Sequence, residues 1–412
     1  MELPNIEKLE SQNHPPPKNG ASFITTCFNG LNALTGIGLL SIPYALSRGG
    51  WLSLITLICI ATICFYTALL LKKCMDSNSL IKTYPDIGEH AFGKKGRALI
   101  SIFMYLELFL LAVEFLILEG DNLHKLFPYT SVQVWGRAIG GKPMFIILTA
   151  LVMLPTTWLR DLSLLAYVSA GGILASLILV ATVFWIGAFE NVGFGEKGTL
   201  WRYSGMPTAV SLFTFCYCGH AVFPTICTSM KDKTQFPKVL LVCFVFSSVS
   251  YGSMAIMGYL MYGESLMSQV TLNLPLQNIG TKIAIYTTLI NPITKYAIII
   301  SPIATALEEK FGVQNNSYRL SLLIRTSLVV FSVVVALIVP FFGYVMAFIG
   351  AFLSVSASVL FPCLCYMKIN KASRELGLEL MFILVILIFG IFVAFTGTFV
   401  SVRDIVRHVG IK

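Results

Sequence analysis

The stretch NGLNALTGIGLLSIPYAL, Asn29 to Leu46, decides how the chain is read. It lies in an apolar segment of membrane-crossing length, yet it carries Gly30, Gly36 and Gly38, with Pro43 further on. A helix in lipid has to satisfy its own backbone N–H and C=O groups, because no water is there to do so. Glycine and proline both weaken that ladder. Two readings follow: the glycines let neighbouring helices pack closely, or the helix opens here.

The rest of the chain supplies the context. Its 412 residues are 56% hydrophobic and 12% charged, with a mean hydropathy of +0.80. Runs such as Trp51–Leu71, Leu328–Phe348 and Leu380–Val400 are nearly uncharged, and a helix of about 20 such residues crosses an apolar layer of roughly 30 Å. The expected fold is all-α and integral to the membrane. Eleven spans are expected, over 22–46, 51–73, 98–120, 143–159, 162–189, 205–228, 238–262, 282–307, 320–339, 342–367 and 378–401.

A net charge of +9 can serve nucleic acid, or it can reflect Lys and Arg gathered on the cytosolic side. With the N-terminus inside, the inner segments hold 18 basic residues and the outer ones 10. The membrane reading therefore stands, and no nucleic-acid partner is expected. Residues 1–20 are polar, include His14-Pro15-Pro16-Pro17, and read as a disordered cytosolic tail without a removable signal. The ten cysteines fall mostly in apolar spans and read as reduced thiols. Cys216-x-Cys218 and Cys363-x-Cys365 lack zinc-site spacing and partners, so no metal is expected. The sequon at Asn315–Ser317 falls in an inner loop and is expected to be unused. With no Ser/His/Asp set, zinc motif or phosphate loop, the chain does not read as an enzyme.

Span 6, SLFTFCYCGHAVFPTICTSM (Ser211–Met230), repeats the peculiarity of span 1: Gly219 in its middle, then Pro224. Five spans is an odd number, so the second unit starts from the opposite side. Interrupted helices at matching places in two halves point to an inverted-repeat transporter and to its binding site. The units are taken as 21–190 and 204–367, with 378–401 as an eleventh helix. The backbone is expected to unwind near Asn32–Gly38 and Cys216–His220. Free N–H groups at a half-helix N-terminus bind an anion, and free carbonyls bind an ammonium. An amino acid carries both charges. The substrate-binding candidates are Asn32, Ala33, Leu34, Thr35, Gly36, Ile37, Gly38, Cys216, Tyr217, Cys218 and Gly219.

LNALTGIGLLSIPYAL (31–46), YLELFLLAVEFLILEGDNL (105–123), YCGHAVFPTICTSM (217–230) and NPITKYA (291–297) resemble the amino acid/auxin permease family, and within it the plant vacuolar amino acid transporter branch. The resemblance covers essentially all of the chain after the tail. It implies eleven spans, with the first ten in the 5+5 inverted-repeat leucine-transporter-like fold plus one C-terminal helix. It also implies amino acid transport driven by a proton gradient, with no other cofactor. Cys218 stands where the branch carries a serine.

Ionisable groups at membrane depth are costly, so each needs a partner or a function. Glu107 and Glu114 are two helical turns apart and share one face of span 3. Glu114 is the first proton-coupling candidate, since a buried carboxyl is hard to ionise and can load a proton from an acidic compartment. Glu119 and Asp121, near the span's outer end, read as solvated anchors. His220 follows the second break directly, and histidine titrates near neutrality. Lys295, mid-way along span 8 after Asn291-Pro292, is the third candidate. In leucine-transporter-like proteins a sodium ion sits between spans 1 and 8, and the resemblance lets this ammonium take its place.

The expectation is a proton-coupled amino acid transporter of an internal, vacuolar membrane, with the plasma membrane as the alternative. It works as a monomer by alternating access, in symport or antiport, with an amino acid and membrane lipid as its partners. Spans 1, 2, 6 and 7 would rock against the others. The rivals are a transporter of another small organic acid such as auxin, and an amino acid sensor with little flux.

Overall fold

The computed structural model describes residues 20–134, 137–158, 163–311, 318–370 and 377–409. The expected tail, apart from residue 20, and the sequon at 315–317 lie outside them. Helices dominate, as a chain this apolar requires: α1 (Phe23–Leu34), α2 (Gly38–Gly49), α3 (Ser53–Asp76), α4 (Tyr84–Leu126), α5 (Lys142–Thr157), α6 (Ser163–Phe189), α7 (Met206–Cys216), α8 (Phe223–Ser229), α9 (Phe236–Tyr262), α10 (Ile279–Lys310), α11 (Tyr318–Ile338), α12 (Phe342–Phe348), α13 (Phe361–Ile369) and α14 (Leu378–Val409). A two-stranded antiparallel hairpin, β1 (Ser131–Val134) and β2 (Arg137–Gly140), joins α4 to α5.

Among the described residues eight helical stretches are long and apolar enough to cross a membrane, and a ninth is the pair α1/α2, bent by 51° at its break. The region 205–228 is two short helices, α7 and α8, separated by a non-helical stretch. The protein is thus a multi-pass helical membrane protein.

Two irregular stretches matter for the site. α4 kinks at Gly93, whose φ of 70° is a conformation few L side chains adopt. Between α12 and α13 the chain is wound as π-helix over Ile349–Ser354 and Ser356–Leu360. The wider winding displaces carbonyls from the normal ladder, and Ala357 O instead accepts from the buried Tyr84 hydroxyl at 2.5 Å. Such π segments are frequent at functional sites.

The broken pairs lie at the centre. α2 packs against α7 and α9, α1 against α9 and α6, and α10 against α6 and α4. After α8 a short loop turns on Asp232, whose carboxylate accepts from Thr234 and Gln235. Those hydrogen bonds hold its pKa below the usual carboxylate range. Glu119, expected at a solvated end, is instead only 1% exposed. Asp121 is paired with Lys142 of α5 at 2.6 Å rather than left to solvent.

Candidate functional site

The first break starts at Thr35. Its extended backbone (φ −80°, ψ 102°) ends α1, and both its N–H and its hydroxyl return to Leu31 O at 2.6 Å. Gly36 and Ile37 are non-helical, and α2 restarts at Gly38. A helix end leaves its last carbonyls without partners. Here side chains from other spans supply them. Lys295 Nζ of α10 donates to Asn32 O at 3.2 Å. Tyr251 of α9 reaches Leu34 O at 2.6 Å.

The second break repeats the arrangement. α7 ends at Cys216, and the N–H groups of Tyr217 and Cys218 fold back to Thr214 O and Phe215 O. The Tyr251 hydroxyl also lies 3.1 Å from Cys216 O, so one fully buried side chain bridges the carbonyl ends of α1 and α7. The breaks meet face to face. A Cβ on Gly38 would stand 2.8 Å from Cys216 Sγ, and one on Gly219 would stand 3.1 Å from Leu34 Cδ2. Glycine is needed at Gly38 for this approach.

Among the described residues, the N–H groups of Gly36 and Ile37 donate to no protein acceptor, and the carbonyls of Ala33, Tyr217 and Cys218 receive no protein donor. Those groups can still meet a zwitterion. The carbonyls of Asn32, Leu34 and Cys216 carry donors from the protein itself.

A cavity of about 20 Å³ sits at the first break, lined by Gly36, Ile37, Ala175, Ser176, Thr288 and Asn291 among others. That is room for about one water and far below the roughly 300–1,000 Å³ of a small-molecule pocket. Of the substrate candidates only Gly36 and Ile37 line it. The Tyr217 ring turns away, stacked on Phe244 at 5.9 Å, with its hydroxyl on Ser248.

The three proton-coupling candidates occupy separate places. Glu114 is fully buried, and among the described residues neither of its oxygens is hydrogen-bonded to another side chain. His220 Nε2 lies 3.1 Å from Cys64 O and 3.0 Å from Thr67 Oγ1 of α3. A carbonyl can only accept, so the proton is on Nε2, and Nδ1 is buried without a partner. Lys295 belongs to a cluster with Asn32 and Asn291 around Gly172 of α6. A Cβ there would lie 2.6 Å from Asn32 Oδ1, 2.8 Å from Asn291 Oδ1 and 3.5 Å from Lys295 Cε. The Asn32 side-chain oxygen has no partner. Glu107, on the other side of the breaks, accepts from Cys218 Sγ at 3.1 Å and from Ser354 Oγ of the π segment at 2.7 Å.

Tyr251, Ser354, Gly172 and Thr67 were absent from the candidates drawn from the sequence. Gly171-Gly172 in an apolar span was the one available signal, since paired glycines mark close approach. The others are ordinary hydroxyl residues whose partners come from remote spans.

This geometry, with helices broken at mid-depth and facing each other inside a bundle, is that of a membrane transporter. The chain shares its fold with a solved structure of MhsT in complex with L-phenylalanine (TM-score 0.54, 13% identity, 96% of this chain and 99% of that one). It shares it equally with a substrate-bound outward-open Na+-coupled sialic acid symporter (TM-score 0.53, 12% identity, 91% and 89%). Sequence narrows the class. The model of the transmembrane amino acid transporter protein family matches residues 19–403, and the chain belongs to that family. It is 50% identical to amino acid transporter AVT1I of Arabidopsis thaliana over 390 residues, covering 94% of this chain and 96% of the relative. This is the family that the four motifs indicated, and its members are transporters rather than enzymes.

Proposed function

We propose that the protein carries amino acids across an internal membrane of vacuolar type, coupled to protons, by alternating access. Counting each broken pair as one span and α5 as another gives eleven crossings. The first ten are assigned to two inverted units, 21–190 and 204–367, with α14 outside the repeat and the N-terminus cytosolic. The substrate carboxylate is assigned to the N–H groups of Gly36 and Ile37. Its ammonium is assigned to the carbonyls of Ala33, Tyr217 and Cys218. The AVT1I name, an amino acid transporter, supports the substrate class.

The observation that carries the coupling is the Lys295 ammonium on Asn32 O at the first break. A protonatable cation holds α10 to span 1, so loss or gain of its proton changes how firmly the two are joined. While protonated, the ammonium supplies the positive charge at the first break, so sodium is not required, and no cofactor beyond the proton gradient is invoked. The protein is assigned as a monomer in lipid.

Purified protein in liposomes, with pH and sodium varied independently, tests the reading. Uptake of labelled amino acids should follow the pH gradient and ignore sodium. Absence of flux under every gradient overturns it, and uptake of purely anionic ligands in preference to zwitterions would point instead to another organic acid.

A further inference from the structure

Between α9 and α10 the chain runs through 263–278 with nothing longer than a three-residue helical turn. Its middle is nevertheless largely buried: Leu266 is 5% exposed, Leu274 1%, and Gln269, Val270 and Thr271 are fully covered. Val270–Leu272 packs against α2, α4 and α10. Loops rarely go inside, because their backbone polar groups then need partners. Here α4 provides them. Lys125 Nζ donates to Thr271 O at 2.7 Å and to Leu274 O at 2.5 Å.

A second set of side-chain ties runs through one carboxylate. Asn122 Nδ2 donates to Gln269 Oε1 at 2.6 Å, and Gln269 Nε2 donates to Asp121 Oδ2 at 2.9 Å. The other oxygen of Asp121 pairs with Lys142 Nζ of α5 at 2.6 Å. Lys142 in turn donates to Pro340 O, just before α12, at 2.6 Å. Asp121 therefore joins the loop, α4, α5 and the entry to α12. Towards the end of α4, Glu114 and Glu119 are sealed, while the Asp121 side chain keeps 17% exposure. A proton from the outer solution meets Asp121 first.

We propose that Asp121 is a latch on residues 263–278, the segment covering the mouth between α2, α4 and α10, and that it opens when a proton from the outer side neutralises the carboxylate. The inference rests on the proposed reading that the outer side is the acidic compartment. Ionised Asp121 accepts from Gln269 and pairs with Lys142. The neutral acid loses the ion pair and, with one oxygen now a donor, part of its accepting capacity. The groups facing it are Lys142 from α5, uncharged Gln269 from the lid, and His124 and Glu114 from α4. The lid's own Glu264 is occupied by Arg202 at 2.6 Å.

Hydrogen–deuterium exchange of the full-length purified protein, at about pH 5 and about pH 7.5 and corrected for the intrinsic pH dependence of exchange, tests the latch. Backbone amides of 266–274 in the wild type should exchange roughly tenfold or more faster at the acidic pH. Asp121→Asn should exchange fast at both, and Asp121→Glu should keep the pH response. Gln269→Leu, which leaves the Asp121–Lys142 pair in place, should also exchange fast at both, and it decides the matter if Asp121→Asn does not fold. A wild-type lid indifferent to pH overturns the latch, as does a Gln269→Leu lid as protected at pH 7.5 as the wild type. The transport reading fails separately. Proton-driven flux with an indifferent lid leaves transport standing without the latch, whereas a responsive lid in a protein with no flux leaves the latch without transport.

Discussion

Lys295 does at one atom what a continuous helix would do with its own backbone. Asn32 O loses its helical donor where the chain turns out at Gly36, and the ammonium 263 positions away replaces it. Removing a donor from a buried acceptor costs about 1–3 kcal/mol. Lys295→Ala is therefore expected to lower amino acid uptake about tenfold or more in proteoliposomes. Sodium should leave the wild type unchanged but restore part of the flux to Lys295→Ala, because a small cation can occupy the vacated place. If sodium restores nothing, the ammonium is not standing in for a metal ion. Cys218 allows a second test at this scale. Its thiol donates to Glu107, as a serine hydroxyl in that place would. Cys218→Ser should keep thermal stability within about 0.5 kcal/mol, and Cys218→Val should cost about 1 kcal/mol by removing one of the two donors to Glu107 Oε1. Equal unfolding temperatures for the two variants would contradict this.

At the scale of the helix, glycine fixes how closely the broken segments approach. Gly38 lies against Cys216, and the atom a Cβ would strike is the mobile end of that side chain. Gly38→Ala should reduce uptake, and adding Cys216→Ala should recover it; additivity in that cycle would show that the contact does not matter. Gly350, in the first π segment, has no such relief, because a Cβ there would land on the Ser211 backbone carbonyl of α7. Gly350→Ala should abolish the yield of folded, monodisperse protein. The breaks were legible in the sequence because glycine and proline act locally and their signature recurs in spans 1 and 6. Lys295 was legible because a charge inside an apolar run demands an account. Tyr251 was not: a tyrosine in a membrane span is ordinary, and its bridge exists only because α9 crosses both helix ends. Glu119 misled for the same reason, since nearness to a span's end suggests water while burial depends on what packs over it. The π segments left no mark because their winding changes hydrogen-bond partners without changing hydrophobic pattern.

For the whole molecule, the two broken spans must separate at one end or the other if alternating access holds. Where the chain enters α1 and leaves α8, the two are joined by a short parallel bridge: Ala21 N–H donates to Ser229 O at 2.8 Å, and Lys231 N–H donates to Ala21 O at 3.0 Å, with Ala21 opposite Met230. Gly20 presses against Lys231, where a Cβ would come within 2.7 Å of its Cα. With the 263–278 segment packed over the opposite mouth and a cavity of only about 20 Å³ at the first break, an amino acid cannot reach the breaks unless one of these seams opens. Bridge partners in a β-pair lie about 5 Å apart, within reach of a disulfide. Ala21→Cys with Met230→Cys should therefore lock this seam when oxidised: uptake should stop, then return on reduction, while each single variant transports under both conditions. Undiminished uptake by a protein shown by mass spectrometry to carry the crosslink would mean that α1 and α8 never part, and release would then have to run along another face of the bundle.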